Sequence, residues 1–403
     1  MVREAYRKVN SNKGSAGVDE ESLKEFQVNL LNNLYKIWNR MSSGSYFPKP
    51  VKEVIIPKQG GGERKLGIPT ISDRIAQEVV KTYLEPRMEA IFSKNSFGYR
   101  PKKSAHDALY KVRENVRQYS WVVDMDIKSF FDEVNHELLL KAVNKHVSED
   151  WVKMYLIRWL ECPIQTSDGE LIQKKGVGTP QGGVISPLLA NLFLHYVLDK
   201  WLEKHYPQLS FVRYADDVIV HCYSESQSVE VLNAIKNRLE QCKLRLNEAK
   251  TKIVYCKDYR RPEVKGYPKK FDFLGFTFKP RSKKSKIGRG MFLGFDCEIS
   301  QKSQTRIIQK WKDLKFLKKS ENVIQDIANG LRLQSIGIAR YYGYFAVTTL
   351  RKLFRHLQYR LAKWVRNKYK SMKGSYVKAH RWLRVIKISY PTLLYHWQLF
   401  PTI

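Results

Sequence analysis

Two periods alternate along the chain. Leu23, Phe26, Leu30, Leu34 and Trp38 recur at three- and four-residue steps, which predicts a helix over 19–43 with one apolar side. "VKEVIIPKQGGGERKLGIP" (51–69) switches to alternation and breaks at three glycines. That predicts a β-hairpin whose tip is ringed by Lys58, Arg64 and Lys65. Helices are expected at 72–92 and 104–117. "WVVDMDIKSFFDEVNHELLL" starts as a strand at Trp121 and turns helical after Asn135, an N-cap residue type. A short hairpin follows around Ser167-Asp168-Gly169, then a glycine-rich turn opening a long apolar helix in "TPQGGVISPLLANLFLHYVLDKWL". Strands flank Asp216-Asp217, a helix is expected near 226–242, and strands near 253 and 272–279. Beyond 300 the pattern is mostly helical. This order matches a split βαβ sheet with helices on one face, an α/β (α+β) class.

A chain of 403 residues exceeds one small core, so two or three subdomains are expected. Apolar content of 43% with 12% aromatics fits a folded protein. Charge sharpens the picture: 72 Lys/Arg face 39 Asp/Glu, net +33. Residues 301–403 hold 22 Lys/Arg and 3 Asp/Glu, net +19, leaving +14 (50 minus 36) for the rest. Such a surplus points to a polyanion, nucleic acid before an anionic membrane. A merely solubilising surface fits less well, because rings interleave with the cations in "ARYYGYF" (339–345) and suit base or sugar contacts. No apolar run approaches the roughly 20 residues needed to span a bilayer, and "MVREAYRKVN" is no export signal. Five cysteines without CxxC pairing fit a reducing interior and argue against zinc. A cytoplasmic protein is expected, in bacterial cytosol or nucleoid, without a membrane partner. Nothing in the sequence fixes an oligomeric state.

"FVRYADDVIV" (211–220) sets two carboxylates in an otherwise apolar strand pattern, where desolvation and repulsion both oppose them. A turn at Ala215-Asp216 would bring Asp216 and Asp217 to the end of two adjacent strands. Asp126 ends another strand of the same expected sheet, with Asp124 and Asp132 nearby in sequence. Converging acids of this kind call for cations. Mg²⁺ takes carboxylate and phosphate oxygens, and two ions roughly 3.5–4 Å apart suit phosphoryl transfer. The alternative is a surface hairpin that merely tolerates "DD".

The residues also carry a resemblance. "IPKQGGGERKLGIPTISDR", "SFGYRPKKSAHDAL", "DIKSFFD", "GTPQGGVISPLLANLFL", "YADD", "LNEAKTKI" and "FLGF" resemble, in order, the motif series of reverse transcriptases. In particular they resemble that of the group II intron-encoded branch. "SIGIARYYGYF" and "PTLLYHW" resemble that branch's maturase (X, or thumb) motif and its C-terminal end. The resemblance implies a right-hand polymerase with an RRM-like split βαβ palm, mixed fingers and an α-helical basic thumb. The N-terminal extension and fingers would span 1–118, the palm 119–285, and the thumb/maturase domain 286–403. Asp126, Asp216 and Asp217 would bind two Mg²⁺, with Mn²⁺ as a substitute. Phe131 would exclude a 2′-hydroxyl, its other reading being core beside Phe130. Gln181 and Gly182 would meet the incoming nucleotide. Lys58 and Arg64 would grip its triphosphate, Arg64 being favoured over Lys65. Lys250 would protonate the leaving pyrophosphate, unless it is only a surface lysine. "NKGSAGVD" (12–19) resembles an extension that closes over the template.

Only Gln398–Ile403 follow "LLYHW", so the form expected is one without a nuclease domain. The implied activity is RNA-directed DNA synthesis from dNTPs on an RNA template with a DNA or RNA primer. The implied further partner is group II intron RNA, bound to assist splicing and retrohoming. Lys312, Lys315, Arg351, Lys352 and Arg355 would carry RNA contacts, with Tyr341 and Tyr342 contributing partly through packing. A related polymerase recruited to host defence, CRISPR adaptation or repair is the alternative enzyme. An RNA-binding splicing cofactor is the alternative of another class.

Overall fold

The alternation at 51–69 forms β1 (Val51–Pro57) and β2 (Glu63–Ile68), paired antiparallel. The computed structural model describes residues 1–57, 62–173, 175–284, 290–314, 317 and 321–402, so the hairpin tip and Lys58 lie outside the described residues. β1 also pairs in parallel with β4 (Ile164–Gln165), which turns at Gly169 (φ +86°) into β5 (Leu171–Ile172). The chain divides into two compact units, Met1–Ile253 and Val254–Ile403.

In the first unit, the helix expected over 19–43 is two helices, Leu23–Val28 and Leu30–Ser42, broken at Asn29. Phe26 and Leu34 are buried as the spacing predicts, and Ile37 joins them, but Trp38 stays exposed. Helix Ile71–Glu89 is buried on most sides and capped by Thr70. Its Gln77 side chain accepts from the amides of Val184 (2.8 Å) and Ile185 (3.3 Å), which fixes the glycine-rich turn.

A four-stranded sheet has the order β6 (Ser210–Tyr214), β7 (Asp217–Cys222), β3 (Trp121–Asp126), β8 (Lys252–Tyr255). The outer pair β6–β7 is a tight hairpin and β3 runs antiparallel to β7. Val122, Val123, Val212, Val218 and Val220 are fully buried in it. Asn135 caps helix His136–Asn144 by accepting from the Leu138 amide, as its residue type suggests.

The second unit holds a sheet ordered β11 (Met291–Ile299), β10 (Phe276–Lys284), β9 (Phe271–Phe273) and the helices Gln301–Asp313, Ile324–Tyr342, Val347–Lys368 and Tyr376–Ser389. β11 was not expected, and β10 runs on past the expected 279 to Lys284, because the two form a nine-pair antiparallel ladder. No helix among the described residues is long and apolar enough to cross a membrane.

Candidate active site

Strand register brings the acids together. Asp126, the last residue of β3, lies directly opposite Asp217, the first residue of β7. Asp216 occupies the intervening turn, where Ala215 adopts a left-handed φ of +57°. Partial desolvation, then the charges of Asp216, Asp126 and Asp124, push the Asp217 carboxyl up to about 7. Asp217 itself reaches solvent, so the like charges are the firmer cause. Desolvation and Asp126 push Asp216 upward too, against its own backbone hydrogen bond. Two cations relieve the cluster. Lys250 Nζ stands 3.1 Å from Asp126 Oδ2, and Lys252 Nζ stands 3.3 Å from Asp124 Oδ2. Lys250, itself exposed, is thus placed against a candidate metal-binding acid. Asn247, which sequence reasoning passed over, donates its side-chain amide to the same Asp126 oxygen (2.9 Å) and its backbone amide to the Asp126 carbonyl (2.8 Å).

The nucleotide-side candidates also meet. Arg64 Nε donates to Gln181 Oε1 at 2.9 Å, and the Gly67 amide donates to the Gln181 carbonyl at 2.7 Å. Lys65 turns the other way, to Glu53 (3.1 Å), as alternation in a strand requires. Gly182 has φ +122°, and a Cβ there would lie 2.5 Å from the Gly67 carbonyl oxygen, so no other residue fits this crossing. Phe131 is buried in the short helix Phe130–Glu133, and its carbonyl accepts from the Thr179 amide (2.7 Å) just ahead of Gln181. Tyr99, in "SFGYRP", is a second residue not singled out beforehand. Partial burial, then the Asp216 carboxylate, push its phenol above the ordinary tyrosine range. A glycine precedes it because a Cβ on Gly98 would meet the Ala215 nitrogen at 2.4 Å.

In the second unit Tyr341 donates to the Leu274 carbonyl (2.8 Å), and Tyr342 is buried against Phe276, ring centroids 5.1 Å apart. The Tyr342 ring is therefore taken up by protein. Arg351 is half-buried and bonded to Thr402, whereas Lys312, Lys352 and Arg355 are exposed. Lys315 lies outside the described residues.

A family model described as reverse transcriptase (RNA-dependent DNA polymerase) matches residues 56–278, more than half of the 403. The chain belongs to the reverse transcriptase family. This reverse transcriptase is 32% identical over 297 residues to Protein YkfC of Escherichia coli (strain K12), covering 64% of this chain and 77% of that one. It is 32% identical over 253 residues to the group II intron-encoded protein LtrA of Lactococcus lactis subsp. cremoris, covering 62% of this chain and 40% of LtrA. This reverse transcriptase thus spans less than half of LtrA. A solved telomerase from Candida albicans, in complex with a fragment of telomeric RNA, superposes with a TM-score of 0.47 at 13% identity. That match covers 90% of this chain and 65% of the telomerase chain. The intron-encoded kinship read from the motif series is borne out.

Proposed function

We propose that this reverse transcriptase extends a primer 3′-hydroxyl with deoxynucleotides along an RNA template, with two Mg²⁺ ions held by Asp126, Asp216 and Asp217. The register that sets Asp126 opposite Asp217, with Asp216 in the adjoining turn, carries the reading. Among the described residues no three His, Cys, Asp or Glu side chains form a ready-made metal cage. The donor set nevertheless fits Mg²⁺. It is all oxygen, and the charge crowding that lifts Asp217 is the kind a bound cation removes. Bound divalent ions would supply stabilisation of charge on the attacking and leaving oxygens.

This chain's own residues supply the rest. Lys250 and Asn247 hold Asp126 in place and keep one of its oxygens hydrogen-bonded. Lys250 is also a cation beside the acids from which a proton can reach a departing pyrophosphate. Arg64, oriented by Gln181, offers its remaining guanidinium N–H groups to a triphosphate. Gly182 lets that nucleotide lie close to backbone. Phe131 supplies bulk beside the sugar. In this reading residues 1–118 act as fingers, 119–285 as palm and 286–403 as thumb. The exposed cations of the thumb bind intron RNA, as the kinship with intron-encoded proteins and the C-terminal surplus of charge both suggest.

Asp216→Ala tests the metal reading. Losing one clamping carboxylate should remove several kcal/mol of transition-state stabilisation, on the order of a hundredfold or more in rate. Mg²⁺-dependent extension of a DNA primer on RNA should collapse while RNA binding holds. Near-normal synthesis by this variant would refute the assignment.

A further inference from the structure

Directly beneath the acid-bearing turn lies a buried cation that neither the motifs nor the proposed chemistry uses. Arg213, at the end of β6, is fully buried. Its Nε and Nη2 donate to the two carboxylate oxygens of Asp199 at 2.7 and 2.6 Å. Its Nη1 donates to Asn191 Oδ1 at 2.9 Å and to the Ala215 carbonyl at 3.1 Å. That carbonyl belongs to the left-handed residue that immediately precedes Asp216 and Asp217. Asn191 in turn donates to the Gly98 carbonyl (2.8 Å), tying in the segment beside Tyr99. The Arg213 backbone completes the knot: its amide donates to Asn95 and its carbonyl accepts from Phe97, both at 2.8 Å.

The long apolar helix is deformed to serve this arginine. It runs regular over Ser186–Leu194, becomes a π-helix over His195–Asp199, then resumes over Lys200–His205. Residues 191 and 199 are eight apart, and in a regular α-helix would point roughly 80° away from each other. A stretch bonded i to i+5 turns less per residue and closes much of that angle. Asn191 and Asp199 thereby reach the same guanidinium. The carbonyls of Tyr196 and Val197, within the widened turn, accept from Arg238 at 3.2 and 3.1 Å. Burial opposes the charge on Asp199, yet Arg213 holds its carboxyl below the usual range, so the pair stays ionic.

We propose that Arg213 is a positioning residue: through the Ala215 carbonyl, and braced by Asp199 and Asn191, it fixes the turn that aims Asp216 and Asp217. This rests on the metal-site reading above. A plain structural ion pair would behave differently when both charges are removed together, since apolar replacement of a buried pair is commonly tolerated. The double variant Arg213→Met/Asp199→Leu therefore separates stability from positioning. Arg213→Lys is the second variant: it keeps the charge beside Asp199 but lacks the planar fork that reaches four acceptors.

Thermal midpoint, Mn²⁺ binding by the electron paramagnetic resonance of free Mn²⁺, and primer extension are measured for both, beside wild type and Asp216→Ala. The expected result is a folded protein whose kcat falls at least about tenfold while KM for dNTP stays within about twofold. Mn²⁺ affinity should fall in parallel. If Asp216→Ala is dead but a folded double variant synthesises and binds Mn²⁺ as wild type does, positioning by Arg213 is overturned and the metal reading stands. If Asp216→Ala itself works normally, both fall. Should the double variant not fold, the same readouts on Arg213→Lys decide.

Discussion

Phe131 stands five residues after Asp126, is 8% exposed, and meets Phe130 edge-on with ring centroids 5.3 Å apart. Both of its readings begin from burial, so substitution must separate them. Phe131→Val should raise ribonucleotide incorporation in competition with dNTPs while the protein stays folded. A purely core phenylalanine would instead cost about 1–4 kcal/mol of stability and leave sugar preference alone. Unchanged selectivity with a lowered melting temperature would decide for core. Other site residues differ in how plainly the sequence announced them. Asp126, Asp216 and Asp217 stood out because charge in an apolar strand pattern is costly. The opposite facing of Arg64 and Lys65 followed from strand alternation. Asn247 gave no such signal, while Arg213, a charge in the same apolar stretch 211–220, gave it and was passed over. A polar residue in a loop becomes meaningful only when the fold brings an acceptor to it.

Among elements, those with a clear period were legible: the β1–β2 hairpin, the strands around the acid pair, the helix capped by Asn135. The π turn was not, because it depends on Arg213 and Arg238, distant in sequence; nor were the break at Asn29 and the strand β11, whose partner β10 is adjacent but carries a proline and several charges through the ladder. The interior of β7 adds a titratable group. His221 is fully buried, and burial first, then the Lys111 charge, lower its imidazole to about 3 from an ordinary 6.5. Between those values the unfolded chain binds the proton that the folded one refuses. Stability is therefore fully present above pH 6.5 and is lost as pH falls towards 3, by at most about 1.4 kcal/mol per pH unit. His396, in the second unit, is lowered to about 3 by burial and acts in the same direction. His221→Leu should flatten the decline of unfolding free energy between pH 6 and 5 without removing it. Identical slopes for wild type and variant in urea titrations at those pH values would contradict this.

Across the whole molecule the charge is the feature that no single site consumes. Net +33 cannot be explained by a triphosphate and three acids, and +19 of it falls within residues 301–403. A surface that only tracks a template–primer backbone would bind any duplex alike, with affinity falling by a logarithmic slope of roughly 0.7–0.9 per neutralised phosphate. Preference for one folded RNA needs shape and unpaired bases as well. The second unit gives two kinds of residue for these two tasks. Lys312, Lys352 and Arg355 are exposed cations, whereas Tyr342 and much of Tyr341 are spent on packing against Phe276. Removing the three cations should therefore weaken binding to every RNA and lower the salt slope by up to about three contacts' worth. The intron reading demands more: labelled intron RNA flanking the gene must outlast excess unrelated structured RNA at physiological salt. Loss of that preference in the triple variant would place recognition on these cations. Equal competition by unrelated RNA against the wild type would sink the intron assignment and leave a host-recruited polymerase as the better account.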